Sequence, residues 1–498
     1  MTKSSSKKLK ILFVASEAAP FAQAGGLGGV MYSLPLALRK LKQDVRLMMP
    51  RYGTIDPSHY KLKMEEKSLK VPTDQSGSYP YLICNVKKTN KRNSVPTYFL
   101  ENMEYYEKRA NVYGYSDDHI RWALLCRGVL EFIKVSSWKP DIIVSSDWQT
   151  GLLPNYIKTK YRDDPYISKI ITFFSIHNLR YQGMCDFRFT QETERDSGQE
   201  EIPDFFNPRL AKINWMLRGI MYSDFIATVS PNYTKEILTP EFGEGLNKVL
   251  SEKRGKIFGI LNGIDYEKYN PEKKSHIPYP YNLKNINEKK KNKLALQKRF
   301  GLNQNENYFL IAMVSRLTEQ KGFDLLKEII DPLFKNLPLQ LICLGEGESR
   351  YKEMLQKASN NFPKKICCSY EFNLEIHHLT LAGADAFLMP SKFEPCGTAQ
   401  MQAMRYGCIP IARRTGGLVD TIEEFFPCKN KGDGFFFKDY SPQSLLIAIT
   451  QAFTSFKFKP KWKKMVKRAM KKDFSWDKSA KEYINLFNFA INKINVLD

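Results

Sequence analysis

The chain has 498 residues, 43% of them hydrophobic, and a formal charge of +23. That length exceeds one ordinary core and predicts two or three domains, and the composition excludes a disordered chain. No stretch approaches the roughly 20 apolar residues that span a bilayer. The apolar run 11–15 is too short for a signal-peptide core, so a cytoplasmic protein is expected. Nine cysteines and six histidines lie without metal-ligand spacing, and Cys367 and Cys368 have no second pair to complete a zinc site. Reduced thiols and no metal are expected. The positive charge admits nucleic acid, a membrane surface or a phosphorylated ligand as partner. The lysines are spread along the chain, with clusters at 289–291 and 461–472, and no nucleic-acid-binding signature accompanies them. Solvated faces are the simpler reading, with neither nucleic acid nor membrane as partner.

In chain order, strands are predicted at 9–16, 141–146, 169–176 and 225–230, then at 309–315, 339–344, 386–390 and 408–412. These runs are nearly continuous and rich in Val, Ile and Phe, as strands buried on both faces of a parallel sheet are. Helices are predicted at 31–41, 119–132 and 444–453. The alternation gives α/β architecture. A polar segment at 270–293, rich in Lys, Pro and Asn, separates two such alternations. Two doubly wound domains follow, with a hinge near 263–270.

Ligands of open parallel sheets bind beyond the carboxyl ends of strands, so motifs there carry the weight. The first is the glycine-rich run 22–30, with Gln23, Gly25 and Gly26. Its glycines would let backbone approach a phosphate at a helix start, although a plain strand-to-helix loop fits equally. The second is the turn 315–322, where Arg316 and Lys321 offer two cations suited to a diphosphate; two solvated charges are the even alternative. The third is Ser391-Lys392-Phe393-Glu394-Pro395-Cys396-Gly397. Glu394 can accept sugar hydroxyls, and the amides at Gly397 and Thr398 can hold a phosphate. Thr415-Gly416-Gly417 makes another glycine turn after a strand. The fourth is His177 beside Asn178 at a strand end.

Taken together, these runs resemble bacterial glycogen synthases and plant starch synthases, retaining glucosyltransferases of the GT-B class. The resemblance runs nearly end to end. It includes Asp147-Trp148-Gln149-Thr150-Gly151-Leu152, His177-Asn178-Leu179-Arg180-Tyr181-Gln182-Gly183 and Thr239-Pro240-Glu241-Phe242-Gly243-Glu244-Gly245-Leu246. Asn262-Gly263-Ile264-Asp265, the Phe393–Gly397 run and Phe474-Ser475-Trp476 extend it. It implies a GT-B fold of two Rossmann-like domains facing across a deep cleft. An acceptor-side domain is expected at 8–264 and a nucleotide-sugar domain at 265–475. Residues 476–498 are expected as a helix returning to the first domain. It implies transfer of glucose from ADP-glucose to the non-reducing end of glycogen or another α-1,4-glucan, with retention and no metal or other cofactor. On this reading His177, Arg316, Lys321 and Glu394 are catalytic. Gln23, Gly25, Gly26, Asn262, Phe372, Cys396, Gly397, Thr398, Thr415, Gly416 and Gly417 bind the donor, with Phe372 stacked on adenine. Asp147, Asn178, Tyr181 and Gln182 lie on the acceptor side.

Five positions depart from the family pattern. Gln23 stands for a lysine, Gly29 for an aspartate, Ser146 for a histidine, Leu217 for a lysine and Asp433 for a threonine. Two readings stay open: an active synthase, or a weakened or inactive relative acting as a glucan- or nucleotide-binding partner. Arg316, Lys321, Glu394 and His177 survive, which favours activity. Loss of one donor-binding cation costs about 2–4 kcal/mol of transition-state stabilisation if nothing replaces it.

Overall fold

The computed structural model describes residues 8–77, 79–89, 94–371 and 373–495. It divides into two compact units. One runs to Leu261 and resumes at Trp476; the other is Asn262–Ser475. No helix among the described residues is long and apolar enough to cross a membrane.

The first unit is built on β1 (Lys10–Val14), β2 (Asp44–Pro50), β3 (Lys63–Pro72), β4 (Tyr81–Thr89), β5 (Thr97–Glu101), β6 (Ile142–Ser146), β7 (Ile171–Ile176), β8 (Phe225–Thr228) and β9 (Ile257–Gly259). They form one sheet in the order β3-β4-β5-β2-β1-β6-β7-β8-β9. Pairings are parallel except β3 with β4 and β4 with β5. The central strands are buried along their length, which is why their sequences read as unbroken apolar runs. Strand order reverses direction at the β1/β6 junction, leaving a crevice at the carboxyl ends of these two strands.

The helix Gly26–Lys40 starts inside the glycine-rich run, five residues before the predicted start at 31. Leu27, Met31, Leu34 and Leu38 make its buried stripe at helical spacing. The helix Trp476–Asn495 packs against it. Tyr483, Leu486, Phe487 and Ala490 of this late helix join the core of the first unit. Phe487 meets Phe173 of β7 edge to face at 5.0 Å.

The second unit carries β10 (Phe309–Val314), β11 (Leu339–Leu344), β12 (Ile366–Ser369), β13 (Ala386–Met389), β14 (Ile409–Arg413) and β15 (Phe435–Phe437). This all-parallel sheet has the order β12-β11-β10-β13-β14-β15, with its reversal between β10 and β13. The chain enters and leaves this unit side by side: Ile264 bridges Ser475, and the Ile264 amide donates to the Phe474 carbonyl at 2.8 Å. The polar segment 270–293 is docked on this unit. Tyr281 is buried and donates to the Tyr406 carbonyl at 2.6 Å, and a helix begins at Lys289.

Candidate active site

In the first unit the candidate groups gather beyond β1, β6 and β7, three neighbouring strands. After β1 the chain turns at Ser16-Glu17. Glu17 is buried, and its carboxylate accepts the amides of Ala24 and Gly25. The acid thus shapes the glycine-rich loop, and Gly25 and Gly26 are left exposed at the start of the helix. Sequence reasoning passed over Glu17; a lone carboxylate directly after a buried strand was the signal. Gln23 is exposed, its amide donating to the Gly25 carbonyl at 3.3 Å.

After β6, Asp147 takes φ 56° and turns its carboxylate toward the end of β7. It accepts the amide of His177 at 2.7 Å and of Asn178 at 3.4 Å. Burial nevertheless pushes the Asp147 carboxyl up to about 7, against the lowering effect of those two amides. His177 makes a 3.1 Å hydrogen bond from Nε2 to the Ser175 hydroxyl. Burial lowers its imidazole to about 4, so it is neutral at physiological pH. A neutral ring can hydrogen-bond a sugar without placing a full charge there.

The other first-unit candidates have different fates. Tyr181 is exposed. Asn178 accepts the Arg180 amide through its side chain at 3.1 Å, organising the turn. Gln182, expected on the acceptor side, is buried with both ends of its amide spent inside the domain. It donates to the Glu244 carbonyl at 2.7 Å and accepts from Asn214 at 2.7 Å and from the Phe187 amide at 3.1 Å. That side chain ties the 177–183 loop to the 239–246 loop.

In the second unit the groups gather beyond β10, β13 and β14, again neighbours in the sheet. The chain leaves β10 through Arg316, which is exposed and has no carboxylate partner among the described residues. A short 3-10 turn, Glu319–Lys321, follows. Gly322 then turns the chain at φ 78°, where a Cβ would lie 2.1 Å from the Pro390 carbonyl oxygen. Only glycine lets the β10 and β13 loops meet this closely. The contact brings Lys321 to Glu394: Nζ and Oε2 are 2.5 Å apart, and the Ser391 hydroxyl donates to the same oxygen at 3.2 Å.

Gly416, at φ 48°, would place a Cβ 1.8 Å from the Glu394 carbonyl oxygen, so the β13 and β14 loops are also in backbone contact. Thr415 precedes the short helix Gly416–Thr421, and the Gly417 amide donates to the Glu394 carbonyl at 3.1 Å. Gly397 turns at φ 66°, and Thr398 precedes the helix Ala399–Arg405. The thiol of Cys396 is buried and pushed up to about 12 by that burial; it is held by the Asn262 backbone. Asn262 is itself buried, and its side-chain oxygen has no hydrogen-bond partner among the described residues. Phe372 lies outside the described residues.

The loop after β11 completes this face. Leu317 pairs with Gly347, its amide donating to the Glu346 carbonyl at 2.7 Å and its carbonyl accepting from Glu348 at 2.8 Å. Sequence reasoning missed this element, although Gly345-Glu346-Gly347 after an apolar run was a legible glycine turn.

Comparison with known proteins decides the family. Residues 10–252 match the family described as "Starch synthase catalytic domain", and 296–472 match "Glycosyl transferases group 1". The glycogen synthase of Thermosipho melanesiensis is 39% identical over 491 residues, covering 97% of this chain and 100% of that protein. The chain belongs to the glycogen and starch synthase family. The glycogen synthase of Geotalea daltonii is 41% identical over 494 residues, covering 97% of this chain and 99% of that protein. The solved catalytic domain of starch synthase IV from Arabidopsis thaliana, bound to ADP and acarbose, superposes with a TM-score of 0.82 at 28% identity. It covers 97% of this chain and 100% of that one. A sucrose-phosphate synthase from Thermosynechococcus elongatus shares only the fold, at 14% identity and a TM-score of 0.60, with coverage of 98% and 100%. The protein is thus a glycosyltransferase with two Rossmann-like domains of the GT-B type.

The structure places four of the five positions singled out above. Asp433 is buried, pairs with Lys472 at 2.6 Å and accepts the Glu423 amide at 2.9 Å, so the carboxylate carries its own counter-charge. Leu217 is buried in the helix Trp215–Tyr222, beside Gly198. Ser146 ends β6 with its hydroxyl 3.7 Å from the Met31 sulfur. Gly29 lies in the helix Gly26–Lys40 with the Gln23 amide near its missing Cβ.

Proposed function

We propose that the protein elongates α-1,4-glucan by transferring glucose from ADP-glucose to the non-reducing end, with retention of configuration. The observation that carries this reading is the second unit's cluster: Lys321 on Glu394, with exposed Arg316 on the same loop as Lys321 and the glycine turns of β13 and β14 around the pair. A sugar nucleotide needs cations where its diphosphate departs and a carboxylate where its sugar hydroxyls sit. The bond from the anomeric carbon to the β-phosphate oxygen breaks as Arg316 and Lys321 neutralise the departing ADP. The glucan 4-hydroxyl attacks from the face that ADP leaves, and its proton passes to the leaving phosphate oxygen. No protein nucleophile and no metal are assigned. Glu394 holds the glucosyl hydroxyls, Gly397 and Thr398 bring backbone amides to the phosphates, and Thr415–Gly417 line the donor. In the first unit, neutral His177 is assigned to the donor sugar and Asp147 to the acceptor side.

The chain's relatives support a nucleotide-sugar donor and a glucan acceptor; the ADP in the Arabidopsis starch synthase supports adenine over uracil. The test is incorporation of labelled glucose into glycogen from ADP-glucose and, in parallel, UDP-glucose, with and without a chelator. Polymer labelled from ADP-glucose, insensitive to chelator and lost in Lys321→Ala, is expected. Absence of incorporation from both donors by folded protein that still binds ADP would overturn the reading. It would make the chain a non-catalytic, binding relative, marked by the departures in its first half.

A further inference from the structure

The second unit also holds a cavity of about 530 Å³ on which none of the groups above lies. Lys289, Lys290, Lys293, Lys459 and Lys463 line it over an apolar floor that includes Phe456 and Trp462. Glu306 and Asn307, on its wall, precede β10, and Asp385 precedes β13. The cavity therefore sits at the amino-terminal edge of the parallel sheet. Arg316 and Glu394 lie beyond the carboxyl edge, one strand length or about 20 Å away.

Its charges do not balance. Asp385 is satisfied by Lys293 at 2.6 Å and the Leu310 amide at 2.9 Å. Lys293 also donates to the carbonyls of Glu306 and Tyr308, at 2.8 and 2.5 Å. Glu306 pairs with Lys290 at 3.0 Å. Lys289 donates to the Leu381 and Ala382 carbonyls. Lys459 and Lys463 remain, and no carboxylate pairs with either among the described residues. Lys463 reaches the Asn287 side-chain oxygen at 2.9 Å, and Lys459 stands 3.1 Å over the Phe456 ring.

Two helices begin at this wall: Lys289–Arg299 has Glu288 at its N-cap, paired with Lys291 at 2.8 Å, whereas Lys459–Lys471 has no acidic residue in its first turn. Helix amino ends carry partial positive charge and ordinarily attract carboxylates. The second of these carries lysines instead. Burial first, and then Lys293 and Lys290, push the Lys459 ammonium down to about 8, and the opposing pull of Asp385 and Glu306 does not restore it. This is positive charge placed where the protein supplies too little counter-charge.

We propose that the cavity binds a small phosphorylated metabolite, its phosphate held by Lys459 and Lys463 and its carbon body lying on the apolar floor. Lys459 at the helix start and Lys463 one turn on suit a phosphate as point charges. The volume falls in the range of about 300–1,000 Å³ typical of small-molecule sites. Inorganic phosphate alone would leave the floor of Phe456 and Trp462 uncovered, so the ligand has an organic body. Lying at the other edge of the sheet, the site is filled independently of the nucleotide.

The experiment is calorimetric titration of the full chain with glucose 6-phosphate, AMP and inorganic phosphate, each in saturating ADP. Lys459→Ala/Lys463→Ala is compared with Lys461→Ala/Lys464→Ala, which removes the same charge from the same helix outside the cavity lining. Melting temperatures check the fold, and Lys463→Gln alone serves as a milder variant. An organic phosphate is expected to bind the ADP-saturated protein. It should bind about tenfold or more weakly to the cavity variant and unchanged to the control. The proposal fails if no probe binds, if ADP abolishes binding, or if both double variants lose affinity equally. It also fails if inorganic phosphate binds as tightly as the organic probes.

Discussion

Replacing Lys321 by alanine separates two roles of one ammonium. In the protein alone it neutralises Glu394, which is 8% exposed and shares its oxygen with Ser391. Breaking one side of a fully buried ion pair costs about 3–5 kcal/mol. With 18% of the lysine and 10% of the glutamate side chain reaching water, about 2 kcal/mol is expected for Lys321→Ala. Glu394→Gln in the same chain removes the carboxylate that had lost its partner, so the double variant should regain all but about 0.5 kcal/mol. Activity follows a different rule. Loss of a cation that stabilises the departing diphosphate costs about 10²–10³ in rate, and Glu394→Gln cannot return it. Urea unfolding followed by a probe in the second domain reads stability, and initial rates of glucose incorporation read activity. Recovery of both together in the double variant would refute the reasoning, because it would make Lys321 only a prop for Glu394.

Three further outcomes follow from the geometry. Asp147 and His177 oppose each other in acid. From pH 7 to 4 the folded chain binds a proton at Asp147 that the unfolded chain, near 3.8, does not, which stabilises the fold. From 6.5 to 4 the unfolded chain protonates His177 while the folded one, near 4, does not, which destabilises it. His177→Gln should therefore make first-domain stability rise relative to wild type as pH falls through this window, and Asp147→Asn should make it fall. Parallel slopes in urea titrations of both variants would contradict the assignment. Gly322→Ala, at φ 78° with the Pro390 carbonyl 2.1 Å from the new Cβ, should destabilise the second domain by about 2 kcal/mol or more and cut transfer activity; calorimetry and rate assays check it. Phe487→Ala should cost about 3–5 kcal/mol in the first domain, read as faster amide exchange in β7 and β8 with the second domain unchanged.

The strands that carry the site were legible because they are buried on both faces and read as unbroken apolar runs. β3 and β4 were not. Their sequences, Lys-Met-Glu-Glu-Lys-Ser-Leu-Lys and Tyr-Leu-Ile-Cys-Asn-Val-Lys-Lys, face water on one side at the sheet edge, and their charges hid the period of two. The start of the helix Gly26–Lys40 was placed late because glycine is a poor helix former, and packing of Leu27 overrides that preference. Arg316, Lys321 and Glu394 stood out as charges just past apolar runs. That Lys321 and Glu394 touch was invisible, since 73 residues separate them and only the close approach at Gly322 joins their loops. That Gln182 bonds Glu244, Phe187 and Asn214 was equally hidden, because nothing local reveals those partners.

The helix Trp476–Asn495 gives the first domain an unusual birth. Its sheet is spelled out by residue 259, yet part of its core is supplied only after the entire second domain has been translated. At ordinary ribosomal speed that interval is on the order of 10–40 s. Throughout it Phe173 lacks the Phe487 ring, which is still unmade. The nascent first domain is therefore a natural client for chaperones, and a ribosome stalled within the second domain would present a sticky, unfinished sheet rather than a small working enzyme.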